Sequence, residues 1–316
     1  MIRFAWLQNR AVIALGAVGL AAYAIVAGQL RGNEELRLWS GVLVVAVPAV
    51  VGMFWGAPLL AREIQTGTFQ LAWTQSVTRT RWAAVHLAVL GVAGTALAGL
   101  LSLYVTWWAG PLDHAAENRF GTFDERHLVP VGHAALAFAL GVTAGVLIRR
   151  TLPAMAATLV AFVAARLTMA HSIRPDLLAA ERLDRPLDPV STGYGGNPFG
   201  ASTLQPVPPR IPNAWITSSR IVDDAGHPMT TGVLSSTCPD LDGGPRLSGG
   251  HQRAPQSAVD TLHDCVVRIG AGYHEAVIFQ PAHRYWTLQW YELAICLCVA
   301  IALGAFSLWW VRRRLL

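Results

Sequence analysis

The sequence contains no lysine: all 24 of its basic residues are arginine. A P-loop, G-x-x-x-x-G-K-[ST], needs its Lys to reach the terminal phosphates of a nucleotide, so the chain cannot supply that site. Charge of either sign is scarce. Charged residues make up 14% of the chain and hydrophobic ones 53%, where soluble domains carry about a quarter charged residues. That shortage excludes an ordinary soluble domain and points to an integral membrane protein. There are no charge runs, no low-complexity tracts and no convincing internal repeat. The net charge of +5 is not of the nucleic-acid-binding kind, and no nucleic-acid partner is expected. A G-x-S-x-G elbow and a His placed mid-span are also lacking, which leaves an intramembrane protease unsupported. Arg without Lys, with abundant Ala, Gly, Val and Pro, suggests a GC-rich bacterial genome.

What the chain has is long apolar runs. A helix needs about 20 apolar residues to cross the hydrocarbon core. Six stretches qualify, at 11–28, 39–61, 83–108, 129–148, 151–170 and 289–311. The first opens on MIRFAWLQNR like a signal peptide, but further spans follow it rather than a soluble chain. Arginine orients the spans. With the N-terminus inside, the cytoplasm receives Arg3, Arg10, Arg62, Arg79, Arg81, Arg149, Arg150, Arg312, Arg313 and Arg314, with Glu63 as the one acid. The short outer loops mix Arg31, Arg37, Arg119 and Arg126 with Glu34, Glu35, Asp113, Glu117, Asp124 and Glu125. Both termini are therefore expected in the cytoplasm, in a bacterial plasma membrane. Trp39, Trp107, Trp108, Trp286, Trp290, Trp309 and Trp310 fall at span ends, as an aromatic belt does.

Residues 171–288 then lie outside. They hold 13 of the 18 prolines, with short strand-like runs at Trp215–Val222, Val266–Ile269 and Ala276–Phe279. The expectation is a loop-rich extracytoplasmic domain. Within it stands Leu247-Ser248-Gly249-Gly250-His251-Gln252-Arg253, one inserted His away from the LSGGQ signature of ATP-binding-cassette ATPases. The missing Lys, the lack of an acidic strand end downstream and a location without ATP make it a Gly-rich turn instead. Cys238 and Cys265 in the same domain read as a disulfide, since thiols outside the cytoplasm pair. His251, His263, Asp264, His274 and His283 lack zinc spacing, and no metal is assigned. Cys296 and Cys298, two apart in the last span, point to different faces and read as packing residues.

The segment 56–82, "GAPLLAREIQTGTFQLAWTQSVTRTRW", carries the most information. Leu60, Ile64 and Leu71 give an apolar stripe opposite Arg62, Glu63, Gln65 and Gln70. Thr66-Gly67 interrupts the helix, and Ser76 can cap the next one. Read from these residues, the segment is a short amphipathic cytoplasmic helix, either an interfacial lipid anchor or a docking element. This stretch resembles the ABC-2 type permease family, through its acidic, Gly-Thr and Ser-x-x-Arg pattern after the second span, and especially an actinobacterial branch of transporter permeases. "QPAHRYWTLQWYE…WWVRRR" at 280–314 is similar to the same branch. The resemblance implies an all-α membrane protein of six transmembrane helices, ABC-2/type V exporter-like. Residues 1–170 would hold helices 1–5 with the coupling segment 62–82, 171–288 the outer domain, and 289–316 helix 6 and the tail. It implies a second permease copy and cytoplasmic ABC ATPase subunits that hold ATP and magnesium, this chain having no cofactor and no catalytic residue. Arg62, Glu63, Ile64, Thr66, Gly67, Thr68, Leu71 and Trp73 would form the ATPase-coupling helix. The family has a short outer hairpin between spans five and six, where this chain has about 118 residues.

Ionisable groups in lipid are functional candidates by default. Arg166 and Glu292 stand near the outer ends of spans five and six, either as a gate pair or as separate side chains reaching the interface. His86 and His133 read as interfacial. Gly52–Gly56 and Gly141–Gly145 have GxxxG spacing, which permits close helix approach. Two other classes stay open: a receptor or immunity-type protein whose outer domain binds a ligand, and a membrane enzyme with a metal site in that domain.

Overall fold

Lipid offers no hydrogen-bond partners, so the apolar stretches close their backbone bonds internally as helices. The computed structural model describes residues 10, 13–14, 16–25, 34–66, 79–116, 118–189, 192–196, 202–239 and 256–314. They divide into two units, Met1–Leu178 with His283–Leu316, and Ala179–Ala282.

The first unit is helical. Its elements are α1 (Gly16–Ile25), α2 (Glu34–Val51), α3 (Ala57–Thr66), α4 (Arg79–Ala116), α5 (Val129–Ile148), α6 (Thr151–Thr168) and a final helix, Tyr285–Arg314, numbered α9 below. A π-helical turn, Gly52–Gly56, joins α2 to α3, and another, Met169–Ile173, extends α6 to Asp176. Five helical stretches among the described residues are long and apolar enough to cross a membrane: Gly41–Glu63, Arg81–Trp108, Val129–Ile148, Thr151–Asp176 and Ala282–Arg313. The expected first span is described at 13–14 and 16–25, where it forms a shorter apolar helix. Trp39, Trp107 and Trp290 are exposed.

α5 is the axle of this unit. Two-thirds of its span is buried, against well under half for the other four, and it packs on α2, α3, α4, α6 and α9. Small residues permit this. The two GxxxG pairs face each other: a Cβ on Gly52 would stand 2.5 Å from the Ala137 carbonyl oxygen, and one on Gly56 2.6 Å from that of Phe138. A Cβ on Gly141 would run into the Gly52 carbonyl, and one on Gly145 into that of Ala57. The spacing therefore serves a backbone-to-backbone seam inside one chain. Val51, Leu60, Phe138, Val142 and Val146 fill the space around it. At the far end of α5 the chain turns through Arg149, at φ +59°, whose N–H donates to the Gly145 carbonyl at 3.0 Å. That left-handed cap lets Arg150 and Thr151 start α6 at once.

The second unit contains more regular structure than its proline content predicts. Its strands are β1 (Glu181–Pro186), β2 (Thr192–Gly196), β3 (Ser202–Pro206), β4 (Trp215–Asp223) and β5 (Tyr273–Gln280), with helices α7 (Thr231–Thr237) and α8 (Gln256–Ile269). β5 is central in an antiparallel sheet of order β1-β5-β4, and β2 pairs with β3. Two strand-like runs fall in β4 and β5; the third, Val266–Ile269, is the last turn of α8. Leu262, Cys265, Val266 and Ile269 recur at helical spacing and turn together into the core with Leu204, Ile221 and Leu234. Cys238 and Cys265 form a disulfide in that core. Leu247–Arg253 lies outside the described residues.

Candidate functional site

One end of the helical unit carries a set of exposed arginines. Leu60, Ala83, Val146 and Val311 pack together at one end. Beyond them Arg62, Arg81, Arg149, Arg150, Arg312 and Arg313 are exposed. α3 is tied down there: Gln65 Oε1 accepts from the Thr151 hydroxyl at 2.5 Å and its backbone N–H at 3.3 Å. Arg62 on α3 is exposed and Glu63 half-buried, and Ile64 and Thr66 complete its last turn. Gly67, Thr68, Leu71 and Trp73 lie outside the described residues.

The opposite end holds a buried charge cluster. Glu292 on α9 is fully buried. Arg174 grips it with both arms of its guanidinium, Nε to Oε2 and Nη2 to Oε1, each at 2.9 Å. This bidentate geometry is the strongest form of Arg–carboxylate pairing. The same Nη2 donates to Asp124 Oδ1, and Arg166 Nη2 stands 3.4 Å from Asp124 Oδ2. Arg174 also lies 4.5 Å over the Phe123 ring, a cation–π contact. Two guanidiniums thus meet two carboxylates and the cluster is neutral. His133 on α5 completes it. Its Nε2 is 3.0 Å from Glu292 Oε1.

Arg166 and Glu292 are therefore not direct partners. Arg166 reaches Asp124, Glu292 binds Arg174, and the two pairs are joined where Arg174 touches both acids. The alternative, Glu292 reaching out to the interface, is corrected as well, because its carboxylate is enclosed. His86 and His133, expected at the interface, are buried at 3% and 2% exposure. The π turn explains why the hydropathy pattern misses Arg174. The apolar run ends near 170, yet Met169–Ile173 carries the helix on. Arg166 and Arg174 are eight residues apart, which on an α-helix separates them by about 80°. The extra residue of a π turn removes one residue from that count and brings both onto nearly one face, within about 20°.

A second network positions the cluster. The turn Phe120–Glu125 carries Phe123 and Asp124. Gln289 on α9 holds it: Nε2 donates to the Phe123 carbonyl at 3.1 Å, while Oε1 accepts the Leu128 and Val129 N–H groups at 3.0 and 3.1 Å. Those N–H groups are orphan donors of the α5 N-terminus, capped here by a side chain from another helix. His127 adopts φ +58°, rare for a non-glycine residue. It is held by Nδ1 against the Tyr285 hydroxyl at 2.9 Å and by Ser102 donating to its carbonyl at 3.2 Å. Burial, with Arg126 and Arg119 nearby, holds the His127 imidazole below its usual pKa, so it favours the neutral form. Among the described residues no group of three or more His, Cys, Asp or Glu is placed to hold a metal ion.

No curated protein and no solved structure matches the chain. Residues 27–174 match the family described as ABC-2 membrane transporter related. The match covers α2 to α6, with the π turns and three of the four charges of the buried cluster. An ABC-2 permease belongs to an ABC transporter and implies an ATPase partner in general. This domain at 27–174 supports an ABC-2 type permease, and the five helices among the described residues that are long and apolar enough to cross a membrane fit a multi-pass membrane protein.

Proposed function

We propose that the chain is the membrane half of an ABC exporter, driven by a separate cytoplasmic ATPase that docks at the segment beginning with α3. The observation that carries this reading is the set of exposed arginines at one end of the helical unit. The end with exposed Arg62, Arg81, Arg149, Arg150, Arg312 and Arg313 takes the cytoplasmic side under the positive-inside rule. α3 emerges there, tied to α6 by Gln65 and Thr151 and to α5 by the glycine seam. A push on residues 62–73 then moves α3 and α5 as one body, the rigid-body motion that ATP closure and hydrolysis require. Two such chains, or this chain and a related one, would complete the permease, with ATP and magnesium held by the ATPase.

The test is the double variant R62A/E63A, expressed with its ATPase. The expected result is retained membrane insertion with loss of transport-coupled ATP hydrolysis. A variant that still co-purifies with the ATPase and transports at the parental rate refutes the docking assignment.

A further inference from the structure

The geometry points to an anion-binding site at the buried charge cluster, built by Arg166 and Arg174 and occupied in this conformation by Asp124 as an internal stand-in for a phosphate group. It goes beyond the ATPase reading and does not depend on it. The four charges are not equivalent. Glu292 is fully enclosed and grips Arg174 through two hydrogen bonds of 2.9 Å, while the Phe123 ring covers the guanidinium face at 4.5 Å. Arg174 is thus held in place whatever Asp124 does. Asp124 is the most accessible member, its side chain 26% exposed against 8% for Arg174 and 18% for Arg166. It sits on a 3-10 turn rather than on a spanning helix.

Arg166 is under-used. Its one ion pair to Asp124 is long, 3.4 Å, and its buried Nη1 has no hydrogen-bond partner. An arginine fork suits a tetrahedral or planar oxyanion that accepts two parallel hydrogen bonds. The Asp124 carboxylate offers Arg166 one oxygen while the other serves Arg174. A phosphate has enough oxygens to satisfy Arg166 Nη1 and Nη2 and Arg174 Nη2 together. Displacing Asp124 moves a partly exposed carboxylate toward solvent and leaves Glu292–Arg174 intact, so a singly charged phosphodiester keeps the cluster's charge matched and a phosphomonoester adds up to one negative charge. The π turn that brings the two arginines onto one face serves the same end, and such turns recur at functional sites. The ligand class is a phosphate monoester, a phosphodiester or free phosphate; a lipid headgroup and a soluble ligand share that chemistry.

The experiment uses the full chain purified in a neutral maltoside detergent at pH 7.5. Thermal unfolding is followed against sodium phosphate, with sodium chloride at matched ionic strength as reference. A parallel series uses short-chain phosphatidylglycerol. The expected result is saturable stabilisation of the parent. D124N should reach half-saturation at about tenfold lower phosphate, the loss of a competing ion pair worth about 1.4 kcal/mol. R166Q should abolish the effect and R166K restore part of it. Saturation by inorganic phosphate alone assigns a soluble ligand; saturation by the lipid at lower concentration assigns a headgroup; either supports the site. Equal responses of the parent and R166Q in both series overturn it. That comparison decides the matter even if D124N does not fold.

Discussion

Glu292→Gln tests how the buried cluster holds the bundle together. The substitution keeps shape and removes one charge. Arg174 loses its bidentate carboxylate, and an amide that offers two donors now faces a guanidinium that can only donate. The cluster changes from two cations and two anions to two cations and one anion, with Glu292 at 0% exposure in the parent. Breaking a buried pair by removing one partner costs about 3–5 kcal/mol. Asp124 remains to share Arg174, which places the expectation near the lower end, about 3 kcal/mol. The assay is equilibrium unfolding in mixed micelles, read by Trp fluorescence, on E292Q, R174Q and the double variant. A neutral pair in the same space should cost less than the two single changes added, with a coupling of about 1.5–3 kcal/mol. A cost for E292Q below about 1 kcal/mol, or additivity of the two singles, refutes the reading of Arg174 and Glu292 as a coupled buried pair.

Gly141→Ala pushes a methyl into the Gly52 carbonyl and should destabilise by about 1–3 kcal/mol, measured by thermal unfolding. Gly304→Ala, whose Cβ would meet nothing within 4 Å, is the neutral comparison. Removing the Cys238–Cys265 bridge, which spans 27 residues, should cost about 3.5 kcal/mol in the chain-entropy model; faster limited proteolysis between those residues in C238S/C265S is the readout. His127 supplies a pH dependence. Its folded-state pKa lies below the unfolded 6.5, so the unfolded chain takes up the proton first as pH falls. Stability should be unaffected above pH 6.5 and decline below it until the folded imidazole also titrates. His127→Asn, which tolerates φ > 0, should flatten unfolding midpoints between pH 5 and 7 relative to the parent.

Hydropathy exposes the spans because the signal is long and additive. It exposes neither what the spans do to each other nor where the charges end up. The two GxxxG pairs are visible as spacings, but nothing local states that the Gly52–Gly56 turn answers the Gly141–Gly145 pair on α5. Arg174 hides behind an interrupted apolar run because a π turn leaves no compositional trace. Asp124 and Phe123 read as loop residues, since the Gln289 side chain that fixes their turn lies more than 160 residues away. In the second unit β1, Glu-Arg-Leu-Asp-Arg-Pro, carries four charged residues in six. It becomes a strand because β5 supplies its register, and its charges blunt an exposed sheet edge. The helical character of Val266–Ile269 was present as Leu262, Cys265, Val266 and Ile269 at 3.6-residue spacing, outvoted by a run of β-branched residues.

The π turns have a consequence for how the family can vary. A π turn holds one residue more than the α-helical turn it replaces. Met169–Ile173 therefore sets the cluster's geometry by length rather than by side-chain identity. Deleting a single residue there would restore a plain α-helix and swing Arg174 by about 100°, away from Glu292, with no change in hydropathy. In this stretch an insertion or deletion changes more than most substitutions.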